Sequence, residues 1–283
     1  MWRRFAPRTH LASPSSRHAL ARPLPVILLL ALLALAACDA PAGGGDSTAS
    51  HQPSPTATSP TATSPTATSA SAATAAPHSA VRYVAIGASD AVGVGASNPN
   101  TSAYVPILIS RLPKGSYALN LGIDGETLSR ALNDEAPQAI AARPTLITVW
   151  LVGNDFKGCV PLQQYGADLN TLLTKLQQQT TANVFVANAP DFSALPAVQA
   201  QAASGSFCGA PATPASIRSQ AAQWNQVIDA TVAAHHDTLV DLFDSDLVAH
   251  PDFVSSDGFH PSDRGYLALA NLFWVAISTQ GAA

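Results

Sequence analysis

The chain has 283 residues, of which 47% are hydrophobic and 11% are charged, and its net charge at pH 7 is −4. Five of the 14 basic residues precede Cys38 and all 18 acidic residues follow it, so the part from Cys38 onward carries 9 basic and 18 acidic residues. Nucleic-acid binding requires a basic face, and this acidic balance argues against it.

A short apolar run, LPVILLLALLALAA at 24–37, follows an arginine-bearing start and ends directly before Cys38. This order is typical of an export signal, and the run is too short to span a bilayer comfortably as a permanent helix, which is the weaker alternative. The ending Leu35-Ala36-Ala37-Cys38 resembles the lipobox of bacterial lipoproteins. That resemblance implies a signal peptide at 1–37, a lipidated Cys38, and an exported protein anchored to the extracytoplasmic face of the cell membrane.

Residues 38–80 form a segment of low complexity, in which Pro-Thr-Ala-Thr-Ser occurs three times in tandem, at 55–59, 60–64 and 65–69. The segment has almost no large apolar side chains, so nothing offsets the entropy lost on ordering it. We predict a disordered tether that joins Cys38 to a folded domain at 81–283.

From Val81 onward, short β-branched or apolar runs alternate with helical stretches. Strands are predicted at 82–86, 117–121, 146–152, 183–187 and 238–242, and helices at 102–112, 126–142, 162–179, 214–235 and 262–278. Strands that alternate with helices favour a parallel sheet covered on both faces. We therefore expect an α/β fold, a single flavodoxin-like three-layer domain with a five-stranded parallel sheet.

Two cysteines, Cys159 and Cys208, lie in this predicted domain. In an oxidising exported compartment such a pair typically forms a disulfide, and two buried free thiols are the alternative. No histidine or cysteine lies at short ligand spacing from either one, so no metal site is expected there.

The first predicted strand runs into Gly87-Ala88-Ser89-Asp90. A serine in a Gly-rich turn at the carboxyl end of a strand lies where open α/β sheets keep their reactive groups. A dinucleotide-binding turn is the alternative, but Gly93-Val94-Gly95 is followed by Asn98 where that turn needs a third glycine. Ser89 is therefore a candidate nucleophile.

Three further blocks are expected at the same edge of the sheet. Asn120–Gly125 closes the second strand, Gly153-Asn154-Asp155 follows the third, and Asp257-Gly258-Phe259-His260 lies between the last strand and the last helix. Each block alone is as typical of an ordinary turn. However, one turn can present both Asp257 and His260, and with Ser89 they supply the three side chains of an acyl-transfer triad.

In order and spacing, these blocks resemble those of the SGNH, or GDSL-type, hydrolases, and the likeness covers the whole predicted domain. The resemblance implies a serine esterase with Ser89 as nucleophile, His260 as base and Asp257 orienting the imidazole. It also implies an oxyanion hole made by the N–H groups of Ser89 and Gly125 and the side-chain amide of Asn154. The expected substrate is a small-molecule, glycan or lipid ester, with no metal and no organic cofactor, and the protein is expected to be a monomer.

One position departs from the family pattern, because the usual Asp before the serine is Ala88 and an acid follows the serine as Asp90. The nucleophile and its N–H are kept, so we expect the chemistry to be kept. The departure supports an alternative, in which the same fold binds a glycan or lipid without turnover.

The segment 189–214, between the fourth strand and the next helix, is predicted to line one wall of the crevice. Phe192 and Leu195 are candidates for contact with an acyl chain, and packing inside the loop is the alternative interpretation.

Overall fold

A five-stranded parallel sheet organises residues 79–282, the part of the chain that the computed structural model describes. Its strands are β1 (Arg82–Gly87), β2 (Tyr117–Asn120), β3 (Leu146–Trp150), β4 (Asn183–Ala187) and β7 (Thr238–Val240), in the order β2-β1-β3-β4-β7. Two short antiparallel strands, β5 (Ser206–Phe207) and β6 (Ala210–Pro211), form a separate hairpin. The predicted signal peptide, the lipidated Cys38 and the tether as far as residue 78 lie outside the described residues.

Helices cover both faces of the sheet. In the described part of the chain they are α1 (Ser89–Val92), α2 (Pro99–Ser102), α3 (Tyr104–Arg111), α4 (Leu128–Asp134), α5 (Ala136–Ala141), α6 (Gly153–Lys157), α7 (Leu162–Gln179), α8 (Pro196–Ala202), α9 (Pro214–Ala234) and α10 (Asp263–Thr279). On one face α3 packs against α10, and on the other α7 packs against α4, α5 and α9. Within residues 79–282, no helix combines the length and hydropathy needed to cross a membrane.

The centre of the sheet is the most apolar part of the domain. All five residues of β3 are buried, as are the last five residues of β1. Such near-continuous apolar strands are stable only where helices cover both faces, which explains the three layers. On the α10 face, Tyr104 stacks on Phe273 with ring centroids 5.4 Å apart, and both side chains are fully buried.

The predicted fold class and the five predicted strands are confirmed. The helix predicted at 126–142 is instead divided into α4 and α5 at Glu135. Pro137 has no N–H to donate to the carbonyl of Asn133, so it interrupts the helical hydrogen bonds at this point. Four short helices of the described residues, α1, α2, α6 and α8, were not predicted, because one or two turns are too short for hydrophobic periodicity to reveal.

The predicted disulfide between Cys159 and Cys208 is present, with the two Cα atoms 5.2 Å apart and a sequence separation of 49. Cys159 follows the end of α6, and Cys208 lies in the turn between β5 and β6. Beneath the bridge, the buried Phe156 ring packs against Phe192 and Phe207 at centroid distances of 4.7 and 5.4 Å. The bridge therefore holds the 189–214 segment to the helix that follows β3.

We expect a Cys159→Ser, Cys208→Ser double variant to unfold at a lower temperature than the wild type. Opening a loop of this length releases about 4 kcal/mol of chain entropy in the unfolded state. Thermal unfolding followed by circular dichroism measures the loss, with a free-thiol assay to verify that the wild type carries the bridge. An unchanged melting temperature would show that the bridge does not constrain the domain.

Candidate active site

The parallel pairing of β1 with β3 brings two of the sequence blocks to one edge. Gly87 is the register partner of Trp150, so the carboxyl ends of both strands stop at the same level. Ser89 begins α1 two residues after β1, and Asn154 lies in α6, which follows β3 closely. The strand order reverses between β1 and β3, the place where open α/β sheets form their binding crevice.

Ser89, His260 and Asp257 form a continuous hydrogen-bonded chain. His260 Nε2 lies 2.9 Å from Ser89 Oγ, and His260 Nδ1 lies 2.5 Å from Asp257 Oδ2. The whole of Ser89 is 2% exposed, and the side chain of His260 is 17% exposed. The structure thus brings together the three predicted residues in the geometry of an acyl-transfer triad, in which the imidazole bridges the hydroxyl and the carboxylate.

Asp257 is held in its ionised form by several donors. Its Oδ1 accepts hydrogen bonds from the N–H groups of Phe259 and His260, at 2.8 and 3.0 Å, and from the Ser255 hydroxyl at 2.8 Å. Partial burial by itself raises the pKa of this carboxyl, but the bonds from His260, these N–H groups and Ser255 outweigh it and hold the pKa well below its ordinary value. Asp257 is therefore a carboxylate throughout the neutral range, and it fixes the proton of His260 on Nδ1.

The three predicted oxyanion-hole groups differ in whether they already donate a hydrogen bond to the protein. In the described part of the chain, the N–H groups of Ser89 and Gly125 donate to no protein acceptor. The side-chain amide of Asn154 donates one hydrogen bond of 2.9 Å to the Glu126 carbonyl, which ties α6 to the loop that contains Gly125. An amide NH₂ has two hydrogens, so one remains for a ligand.

The block at the end of β2 supports the turn that contains Ser89. Asn120 donates a 2.6 Å hydrogen bond to the carbonyl of Ala91 in α1. A Cβ on Gly122 would lie 2.6 Å from the Cβ of Ala91 and 2.9 Å from the carbonyl oxygen of Ala88. Gly122 therefore lets the loop after β2 approach the backbone of α1 closely, a role that the sequence block alone did not reveal.

A second glycine supports the histidine. Gly95 has a φ of +93°, and a Cβ there would lie 2.6 Å from the Pro261 carbonyl oxygen and 3.0 Å from the Cβ of His260. The loop after α1 consequently packs directly on the loop that contains His260. Sequence analysis considered Gly95 only as part of a rejected dinucleotide-binding turn. Its contact with the loop of His260 was not predicted, because that loop lies far away in the chain.

Glu135 is a buried residue of the site that sequence analysis missed. It lies at the junction of α4 and α5, and its Oε2 accepts a 2.8 Å hydrogen bond from the N–H of Gly87, two residues before Ser89. Burial raises the pKa of this carboxyl to about 8. Glu135 is therefore mostly protonated at neutral pH, and it anchors the end of β1 without placing a full charge near Ser89.

A small cavity of about 30 Å³ opens beside the triad. Its walls come from the ends of β1 and β3, the segments after β4 and β7, and the loop of His260, and they include Phe192 and Leu195. Phe259 also lines it, with its ring centroid 5.2 Å from that of the His260 ring, and a Cβ added to Gly153 would lie 3.4 Å from Phe259 Cζ. The predicted wall from the 189–214 segment is therefore present.

A comparison with known families classifies the chain. The sequence profile of the GDSL-like lipase/acylhydrolase family matches residues 85–268, well over half of the chain. The chain belongs to this family. The predicted resemblance is confirmed, and membership of the family identifies this protein as a hydrolase of the ester-cleaving type. A search of curated proteins finds no significant match to the sequence.

Solved structures with the same fold include the extracellular lipase of Streptomyces rimosus, 19% identical with a TM-score of 0.54, which covers 70% of this chain and 100% of its own. The esterase EstA of Pseudoalteromonas, inhibited by monoethylphosphonate, is 15% identical with a TM-score of 0.55 and covers 72% of this chain and 100% of its own. An acetyl-xylooligosaccharide esterase from Geobacillus is 18% identical, with a TM-score of 0.53 and coverages of 71% and 95%. At these identities the likeness shows the fold.

The buried Glu135 predicts a pH dependence of stability. Its carboxyl ionises near pH 4.5 in an unfolded chain but near pH 8 in the folded protein, so between these values the folded state holds the extra proton. Its contribution to the free energy of unfolding therefore falls as pH rises through this window. We expect Glu135→Gln, which keeps the acceptor for Gly87, to gain about 1 kcal/mol or more relative to the wild type between pH 5 and pH 8.

Urea unfolding of both proteins at several pH values measures this difference. Asp246→Asn is the matched control, because Asp246 is an exposed acid in the segment after β7 that does not act on Glu135, and its removal should leave the pH dependence unchanged. If wild type and Glu135→Gln show the same change in stability with pH, Glu135 does not retain its proton in the folded state.

Proposed function

We propose that this protein is an exported, lipid-anchored serine esterase that hydrolyses carboxylic esters with short acyl groups through an acyl-enzyme. The observation that carries the proposal is the hydrogen-bonded chain from Ser89 through His260 to Asp257, at 2.9 and 2.5 Å. Family membership supports ester hydrolysis. The export signal and the lipobox-like ending at Cys38 support the anchor.

In the first step Ser89 Oγ attacks the ester carbonyl carbon while its proton passes to His260 Nε2. The tetrahedral intermediate then collapses, the bond to the alcohol oxygen breaks, and the imidazolium returns its proton to that oxygen. Asp257 stabilises the imidazolium between these events, because it is a carboxylate bonded to Nδ1.

In the second step water takes the place of the alcohol. His260 accepts a proton from the water while the water oxygen attacks the acyl carbon. The bond between the acyl carbon and Ser89 Oγ then breaks, the acid is released, and His260 returns the proton to Ser89 Oγ. In both steps, the negative oxygen of the intermediate is bound by the N–H groups of Ser89 and Gly125 and by the amide of Asn154. Within residues 79–282 the N–H groups of Ser89 and Gly125 have no protein acceptor, which supports this assignment.

The small size of the cavity, about 30 Å³, supports the assignment of a short acyl group. The alcohol must leave the site before water can enter, so the cavity suits the acyl part, which stays bound to Ser89 after the alcohol has left. Phe192 and Leu195 form an apolar part of the cavity wall, which suits an acyl chain. Among structural relatives, one is named an acetyl-xylooligosaccharide esterase, which is consistent with a small acyl group there.

The second candidate is a binding protein on the same fold, and Ala88 is the observation that favours it, since the family acid before the serine is missing. The two candidates differ in the reactivity of Ser89. A binding protein needs no polarised hydroxyl, whereas an esterase needs one that attacks electrophiles.

The first prediction from this mechanism is that a fluorophosphonate forms a stoichiometric adduct on Ser89 of the wild type and not on His260→Ala. Intact-mass and peptide mass spectrometry of the purified protein would locate the adduct. A relative with this fold has been solved in a phosphonate-inhibited form, which supports the choice of probe. Folded wild-type protein that forms no adduct would favour the binding protein.

The second prediction concerns Asp257. Asp257→Asn is expected to reduce kcat about a hundredfold or more with a smaller change in KM, because an amide no longer fixes the proton on Nδ1 or stabilises the imidazolium. The assay is hydrolysis of p-nitrophenyl acetate. Asp252→Asn is the control, since Asp252 is an exposed acid of the same loop that pairs with Arg264 and should leave kcat within twofold. Equal losses in both variants would contradict the role of Asp257.

A further inference from the structure

Asp90 is a carboxylate in an otherwise apolar cavity. The residues that line this cavity, all within 79–282, are aromatic, aliphatic, proline or glycine except for Asp90. Asp90 follows Ser89 directly in α1, so its Cα lies about 3.8 Å from that of the nucleophile. The group at this position is therefore within reach of the first few carbons of an acyl chain attached to Ser89.

The Asp90 carboxylate has spare capacity to accept hydrogen bonds. In residues 79–282 it accepts one only from its own backbone N–H. Burial raises its pKa to about 6, while the nearby His260 lowers it. The Asp90 residue is partly exposed, so at neutral pH its carboxyl is mostly ionised, and solvent satisfies the lone pairs that its own N–H does not.

A carboxylate in this position discriminates between acyl groups. A hydrocarbon chain that fills the cavity removes water from the carboxylate and donates no hydrogen bond to it, so binding of that chain costs free energy. An acyl chain with a hydroxyl near the carbonyl donates a charge-assisted hydrogen bond instead. A site built to bond a substrate hydroxyl rejects the analogue that lacks it far more strongly than an apolar pocket rejects an extra methylene.

We propose that Asp90 is a specificity-determining residue that selects esters of short hydroxyacyl groups, with the hydroxyl on carbon 2 or carbon 3 of the acyl chain. The proposal rests on the proposed function, since it names the acyl class that the esterase accepts. In this proposal Asp90, the acid that follows Ser89, recognises the substrate. The end of β1 is anchored separately, by Glu135.

The test compares two substrates that differ by one hydroxyl, methyl butyrate and racemic methyl 3-hydroxybutyrate, with acid release followed in a pH-stat at pH 7.5. The readout is the ratio of their kcat/KM values, in wild type and in Asp90→Leu. Because both substrates use the same triad, a general loss of activity cancels in the ratio. We expect the ratio to favour the hydroxy ester in the wild type and to fall about tenfold or more in Asp90→Leu.

Two further variants complete the design. Asp90→Asn keeps the size and one acceptor oxygen without the charge, so its ratio should lie between those of wild type and Asp90→Leu. Asp246→Asn removes an exposed acid in the segment that follows β7, outside the cavity lining, and should leave the ratio unchanged. Fluorophosphonate labelling of each variant confirms that Ser89 is still activated.

The two proposals fail in different ways. If the wild type hydrolyses both esters and labels on Ser89, but Asp90→Leu keeps the wild-type ratio, the role of Asp90 is overturned and the esterase stands. If the folded wild type neither labels nor hydrolyses either ester, the esterase itself is overturned, and the role of Asp90 with it.

Discussion

The site depends on the parallel pairing of β1 with β3. This pairing places Gly87 opposite Trp150 and so ends both strands at one level. Two of the groups assigned to act on a substrate are then built on short connections from those ends: Ser89 in α1 and Asn154 in α6. Because both strands are buried and flanked by other strands, their ends have little freedom to move, and the groups after them are positioned by the most rigid part of the domain.

His260 and Asp257 lie in a loop far from β1 and β3 in the sequence, and several local contacts hold this loop in place. Val254 and Pro261 form an isolated antiparallel bridge, and the N–H of Ser255 bonds to the carbonyl of His260 at 2.8 Å. Inside this turn Asp257 accepts bonds from Phe259 and His260. The start of α10 closes the loop from below, where a Cβ on Gly265 would lie 2.0 Å from the carbonyl oxygen of Phe253. The imidazole is therefore aimed by a turn that is itself closely packed.

Three carboxyl groups around the nucleophile differ because their surroundings differ. Asp257 has several donors and remains ionised. Glu135 is buried and holds its proton to about pH 8, so it serves the backbone of Gly87 as a nearly neutral acceptor. Asp90 lies between these extremes, with a pKa raised to about 6 and few partners. Replacement of the family acid by Ala88 thus leaves the turn anchored by Glu135 and places a different acid on the substrate side.

Much of the domain could be predicted from the sequence, because strand and helix periodicity and turn residues are local signals. The five strands, the order of the blocks and the identities of Ser89, Asp257 and His260 belong to this part. Short helices such as α1 and α6 escaped prediction because one turn has no period to detect. The break at Glu135 was also missed, although Pro137 was the signal for it.

By itself, then, the sequence determined the α/β class and which residue types were present to form a triad. Only the tertiary structure decided that Ser89 and His260, separated by 171 positions, meet at 2.9 Å. It also decided that Glu135 lies beneath Gly87 and that Asp90 lines an apolar cavity. The physical reason is that a pattern along the chain records how each segment faces the core, whereas the distance between two side chains depends on how separate segments pack together.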